Sequence, residues 1–146
     1  MNDLVEKRTK SLLYIAFAFV AFYFSTLLMQ TYEKDPLSVK PSTEEERFVV
    51  AAGDSFVFSR QVCTEKDLAV TVHREFHNTE TGNKFMLAGV RYVAYASDSC
   101  YETEFLTQTP LQLERGEYEY RPILIYNVNN IKTITKPAPK VFVTVN

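Results

Sequence analysis

The chain has 146 residues, 46% of them hydrophobic, and 16 Lys and Arg stand against 18 Asp and Glu for a formal net charge of −2. Beyond residue 29 the balance is 13 basic to 16 acidic, with no basic stripe to neutralise phosphates, which argues against a nucleic-acid partner. The length leaves room for one small domain, and a total of four glycines leaves little for phosphate-cradling or dinucleotide loops.

Residues 1–10 form a short head carrying Lys7, Arg8 and Lys10, followed at 11–29 by SLLYIAFAFVAFYFSTLLM, which holds no charge. At about 1.5 Å rise per residue such a helix crosses most of a roughly 30 Å hydrocarbon core. The aromatics Tyr14, Phe17, Phe19, Phe22, Tyr23 and Phe24 go all the way round it, unlike the one-sided stripe of a soluble helix. The small-residue triplet Ala16-Phe17-Ala18 lies inside the run, so a cleavable signal peptide fits less well than an uncleaved anchor. The basic head predicts a cytoplasmic N-terminus, with the rest of the chain across the inner membrane in the periplasm or an equivalent compartment. Ala18, Ala21 and Ser25 share one helical face, a small-residue groove through which the anchor would meet a second copy or another helix.

Residues 30–46, QTYEKDPLSVKPSTEEE, are polar, contain Pro36 and Pro41 and end in the acidic triplet Glu44 to Glu46. They read as a stalk, which at about 3 Å per residue would hold the domain up to roughly 50 Å from the bilayer.

Residues 47–146 change to short apolar runs of period two, rich in Val, Tyr, Phe and Thr and broken by Gly, Asn, Asp and Pro. Strands are predicted at 48–52, 55–63, 68–76, 84–96, 101–107, 117–128, 131–135 and 140–145. Leu68, Val70 and Val72 fall on one face, as do Met86, Ala88, Val90, Tyr92 and Ala94, which makes these two strands the expected core suppliers. Pro122 inside an apolar run predicts an edge or a bulge. Cys63 and Cys100, both beyond the membrane, are expected to form a structural disulfide. Closing about 38 residues, it would contribute on the order of 4 kcal/mol.

Seven to eight strands in about a hundred residues predict an all-β antiparallel sandwich. Leu113-Glu114-Arg115-Gly116-Glu117-Tyr118 resembles the L-x-x-G-x-Y corner of immunoglobulin-like and fibronectin-type-III-like sandwiches. That resemblance implies that Tyr118 is the corner tyrosine, its hydroxyl bonding back to the backbone. It concerns the fold and brings no functional residues with it. The chain departs from the antibody pattern in having no tryptophan and in placing Cys100 before the corner.

Chemistry-bearing constellations are sparse. His73-Arg74-Glu75-Phe76-His77 lacks zincin spacing, and on a strand its histidines stand about 13 Å apart, too far to share an ion. Glu102, Glu104, Glu117 and Glu119 alternate with apolar neighbours as an exposed sheet face does. No cofactor, metal or catalytic set is therefore expected. Tyr95, Tyr101 and Tyr120 are the surface residues selected for partner contact. The resulting expectation is a single-pass, membrane-anchored recognition module of a bacterial or phage-modified envelope that binds another envelope protein through its sandwich. Two alternatives stand beside it: a tethered cell-wall or glycan hydrolase built around His73 and Glu75, and a structural subunit of a larger membrane complex.

Overall fold

The computed structural model describes the backbone of residues 2–42 and 46–146 and the side chains of residues 10–42 and 46–146. The chain divides into two compact units, Met1–Lys34 and Asp35–Asn146. The first contains a single helix, α1 (Asn2–Thr31), whose stretch Lys10–Thr31 is long and apolar enough to cross a membrane and has no buried residue in its apolar window. Ala18, Ala21 and Ser25 are accordingly exposed, as is most of the stretch, while Thr26 and Leu27 are half-buried.

The second unit is a β-sandwich-like domain in which nine strands are described: β1 (Leu37–Pro41), β2 (Arg47–Val50), β3 (Ser55–Thr64), β4 (Leu68–Asn78), β5 (Lys84–Ala94), β6 (Tyr101–Gln108), β7 (Gly116–Asn127), β8 (Thr133–Pro137) and β9 (Val141–Val145). One sheet has three strands in the order β1-β3-β6; the other has six, running β2-β9-β7-β4-β5, with β8 also paired to β7. Pairing is antiparallel throughout the described residues except between β2 and β9. Alternation along β3 and β7 turns every second side chain inward, as period-two patterning dictates. Phe56, Phe58, Phe76, Tyr118 and Tyr120 form an aromatic cluster at one end, with ring centroids 5.2 Å apart for Phe76 and Tyr120. Leu37, Val62, Val70, Leu124 and Tyr126 form a second apolar cluster.

Four expectations about the strands and the segment before them are corrected by the structure. Residues 30–46, expected to be a stalk throughout, include the end of α1 at Thr31 and, at 37–41, a strand, β1, in register with β3 from Leu37↔Thr64 to Pro41↔Arg60. Leu37 is only 3% exposed, and Asp35 ties the strand down. Its carboxylate accepts hydrogen bonds from the Tyr126 hydroxyl, Lys136 Nζ and the Leu37 amide. Of the acidic triplet, Glu46 pairs with Arg60 of β3, while Glu44 and Glu45 lie outside the described residues. The strand count is nine among the described residues, since β1 adds one to the predicted set.

The third correction concerns β5. Val72 pairs with Val90 but Arg74 with Leu87, so β5 uses three residues where β4 uses two. This bulge at Ala88-Gly89 switches the parity: Phe85 and Leu87 turn inward, and Met86, expected in the core, is 56% exposed. The fourth is Pro122, which occupies neither an edge strand nor a bulge. It lies in β7 where the partner changes from β9, last paired at Tyr120, to β8, first paired at Ile123. Its carbonyl accepts from the Ala138 amide on that side. A residue's N–H and C=O point the same way in a strand, so the missing donor falls in the gap between partners.

Cys63 and Cys100 are disulfide-bonded, joining the end of β3 to the approach to β6. Leu113, Gly116 and Tyr118 build the turn into β7, where the Tyr118 hydroxyl donates to the Glu114 carbonyl at 2.9 Å. A Cβ at Gly116 would come to 3.2 Å from Asn78 Nδ2, so that side chain would have to give by a few tenths of an ångström.

Burial would raise Asp35, but the bonds from Lys136, Tyr126 and Leu37 outweigh it and hold the carboxyl below its usual range. A lowered carboxyl contributes fully above its unfolded value of about 3.9 and loses that contribution as pH falls through the folded value. Asp35 is partly exposed, so the effect is small. Asp35→Asn should lower stability by about 1 kcal/mol at pH 7 and by less at pH 3. Urea unfolding at both pH values is the check; a gap unchanged at pH 3 would remove the carboxylate as its source.

Candidate functional site

The two sheets differ in width, and the space between them is incompletely filled. A cavity of about 230 Å³ lies between the inner faces of β3 and β6 on one side and β4, β5 and β7 on the other. Its wall is mostly aliphatic and aromatic, with Val62, Val70, Val72, Leu124, Tyr92 and Phe105 prominent. The Tyr92 and Phe105 rings meet edge to face at 5.4 Å, bridging β5 and β6 across the sheets.

All three tyrosines selected from the sequence border this one cavity, in different settings. Tyr95 is 63% exposed at the rim, just past β5. Tyr101, half-buried at the start of β6, accepts a hydrogen bond from the Tyr95 amide at 3.2 Å. Tyr120 is a correction: it is 2% exposed and forms part of the cavity wall rather than the molecular surface. Its parity on β7, shared with Tyr118 and Leu124, points it into the aromatic cluster. Burial pushes its phenol up despite a 3.2 Å hydrogen bond from the Thr107 hydroxyl and the nearby charge of Arg74. The same effect, reinforced by Asp35, raises Tyr126.

Sequence reasoning missed two arginines in the cavity wall. Arg60 is 2% exposed; its guanidinium pairs with Glu46, donates to the Ser59 and Pro139 carbonyls and lies 4.6 Å from the Phe58 ring centroid. Arg74 donates to the Ala88 carbonyl at 2.9 Å and has no carboxylate within ion-pair distance among the described residues. Nε of each is buried without a hydrogen-bond partner among the described residues. The readable signal was parity. Arg60 falls in the series Phe56, Phe58, Val62, and Arg74 in the series Val70, Val72, Phe76, where every other member is apolar.

His73 and Glu75 have the opposite parity and belong to the outer face of the larger sheet, where Glu75 stands opposite Arg121 and Met86. Among the described residues, no His, Asp or Glu lines the cavity. No group of three or more His, Cys, Asp or Glu able to hold a metal occurs among them either. On the outer face Glu119 is held below the usual carboxylate range by hydrogen bonds from Lys140 and Arg121.

These placements separate the tyrosines energetically. Tyr120→Ala should cost about 3–5 kcal/mol by opening a void in the aromatic cluster, and Tyr120→Phe about 1 kcal/mol through the lost hydroxyl. Tyr95→Ala should stay within about 0.5 kcal/mol. Denaturant midpoints measure all three, and equal costs at positions 95 and 120 would contradict the assignment.

No protein-family model matches the chain, and no curated protein matches it. Among solved structures the sandwich is similar to part of a family 123 glycoside hydrolase from Clostridium perfringens, with TM-score 0.46 and 9% identity over 76% of this chain; the match spans 27% of the hydrolase. It is also similar to the C-terminal domain of wzt, with TM-score 0.45 and 10% identity over 79% of this chain and 76% of that one. A third likeness is to the bacterial superantigen toxic shock syndrome toxin-1, with TM-score 0.42 and 13% identity over 75% of this chain and 98% of that one. These distant likenesses concern β-sandwich architecture and carry no chemistry to this chain.

Proposed function

We propose that the chain is a membrane-anchored recognition module of a bacterial or phage-modified cell envelope, its immunoglobulin-like sandwich binding another envelope protein. The observation that carries this reading is the apolar cavity between the sheets with the exposed Tyr95 at its rim and Val93 beside it, 49% exposed. An aromatic and aliphatic rim on a concave apolar surface suits a protein contact. The Tyr118 corner supports the immunoglobulin-like assignment. The apolar helix and the disulfide support an N-terminus in the cytoplasm and a sandwich in the periplasm. Anchoring would confine the encounter to two dimensions and raise effective concentration. The groove of Ala18, Ala21 and Ser25 supports self-association through the helix as a further part of this reading.

The test is photocrosslinking in intact membranes from Tyr95, with Lys40 on the outward side of β1 as control position. The expected outcome is one dominant envelope protein captured from position 95 and absent from position 40. Identical patterns from both positions would overturn the recognition surface.

A further inference from the structure

The free edge of β6 borders the cavity, and its chemistry specifies an occupant. β6 ends the three-stranded sheet, and its odd-numbered residues turn their backbone groups toward β3. The Thr109 amide bonds to the Asp54 carbonyl in the same continuous register that pairs Ser55 with Gln108. By antiparallel alternation, residues 102, 104, 106 and 108 turn theirs to the open side. Across the layers the inner residues Phe85, Leu87, Val90 and Tyr92 of β5, the edge strand of the larger sheet, are only half-buried, and Tyr92 meets Phe105 of β6. A strand added to β6 would satisfy the open backbone groups and lie over these side chains.

Charge narrows the choice of strand. Glu102 and Glu104 are exposed on the outer face of β6 and form no ion pair among the described residues. Arg74, on the inner side, has no carboxylate partner among those residues. A second copy of β6 is disfavoured, since antiparallel pairing about Thr103 would set Glu102 opposite Glu104. The edge of β5 is a poorer acceptor, because its bulge and its Lys84 and Arg91 are devices that blunt edge pairing.

From this we infer that the partner supplies an extended segment that adds to β6 as a fourth strand. Its inward residues are apolar with one carboxylate for Arg74, and its outward residues opposite Glu102 and Glu104 are basic. The inference deepens the recognition reading and rests on it.

The experiment uses the full chain in lipid nanodiscs and fluorescein-labelled nine-residue peptides, read by anisotropy. One peptide alternates inward Val with outward Lys and carries a single inward Asp; a second has the same composition with the alternation broken; a third replaces outward Lys with Glu. The first should bind at least tenfold more tightly than the other two. The double variant Glu102→Lys and Glu104→Lys, with its fold checked by circular dichroism, should reverse the preference between the first and third. Equal binding of patterned and broken peptides, or an unchanged preference in the double variant, overturns strand addition. So does saturable binding of sodium laurate with no peptide bound, which would make the cavity an amphiphile site. Specific capture from Tyr95 in membranes together with failure of the peptides would sink the added strand and leave recognition standing.

Discussion

A three-stranded sheet laid over a wider one leaves part of the wider sheet's inner face without cover, and this mismatch organises the domain. β6 is the edge of the smaller sheet and β5 the edge of the larger, and the two meet across the layers through Phe105 and Tyr92. The inner residues of β5 therefore stay half-buried although they are apolar, and a cavity of about 230 Å³ remains between the layers. Aromatic packing closes one end, and the Tyr92 and Phe105 contact bridges the sheets beside the opening. The free edge, the apolar wall and the exposed Tyr95 thus arise from one geometrical cause.

Polar groups placed inside such a sandwich need partners, and the domain meets this requirement unevenly. Arg60 is almost wholly paired, by Glu46 and two backbone carbonyls, and the arrangement links β3 to the approaches to β2 and β9. A buried ion pair of this kind adds little net stability, but removing one partner is costly, so it favours a single docking of the sheets. The Asp35, Tyr126 and Lys136 group does similar work for β1, holding the residues just before that strand against β7 and β8. Arg74, the other arginine of the cavity wall, has no carboxylate among the described residues. That asymmetry makes the cavity more than a packing defect, because an uncompensated guanidinium in an apolar wall favours an anionic group brought from outside.

Much of the architecture was legible because period-two patterning and turn chemistry are local. The apolar helix, the strands from β3 to β9 and the bond from Tyr118 to Glu114 follow from spacings within a dozen residues. What escaped depends on distant partners. β1 has only Leu37 and Val39 to mark its inner face and lies among prolines and charges, so its identity comes from pairing with β3. The bulge in β5 inverts which residues of a regular alternation face inward, and only the register against β4 reveals it. Tyr120 reads as a surface residue because Glu119 and Arg121 flank it, although those neighbours mark the opposite face. Arg60 and Arg74 were readable as charges at apolar parity, a pattern in the sequence itself that flags an inward cation.

Recognition by strand addition requires that the outward backbone of β6 stay open until a partner covers it. Residue-resolved hydrogen exchange on the full chain, first alone in nanodiscs and then in membranes with its captured partner, tests this most directly. Rapid exchange is expected at the amides of residues 102, 104 and 106 in the isolated chain, with amides 103 and 105 protected by β3, and slowed exchange at 102, 104 and 106 once the partner is present. Protection of all five amides in the isolated chain, or unchanged rapid exchange with the partner bound, would contradict it.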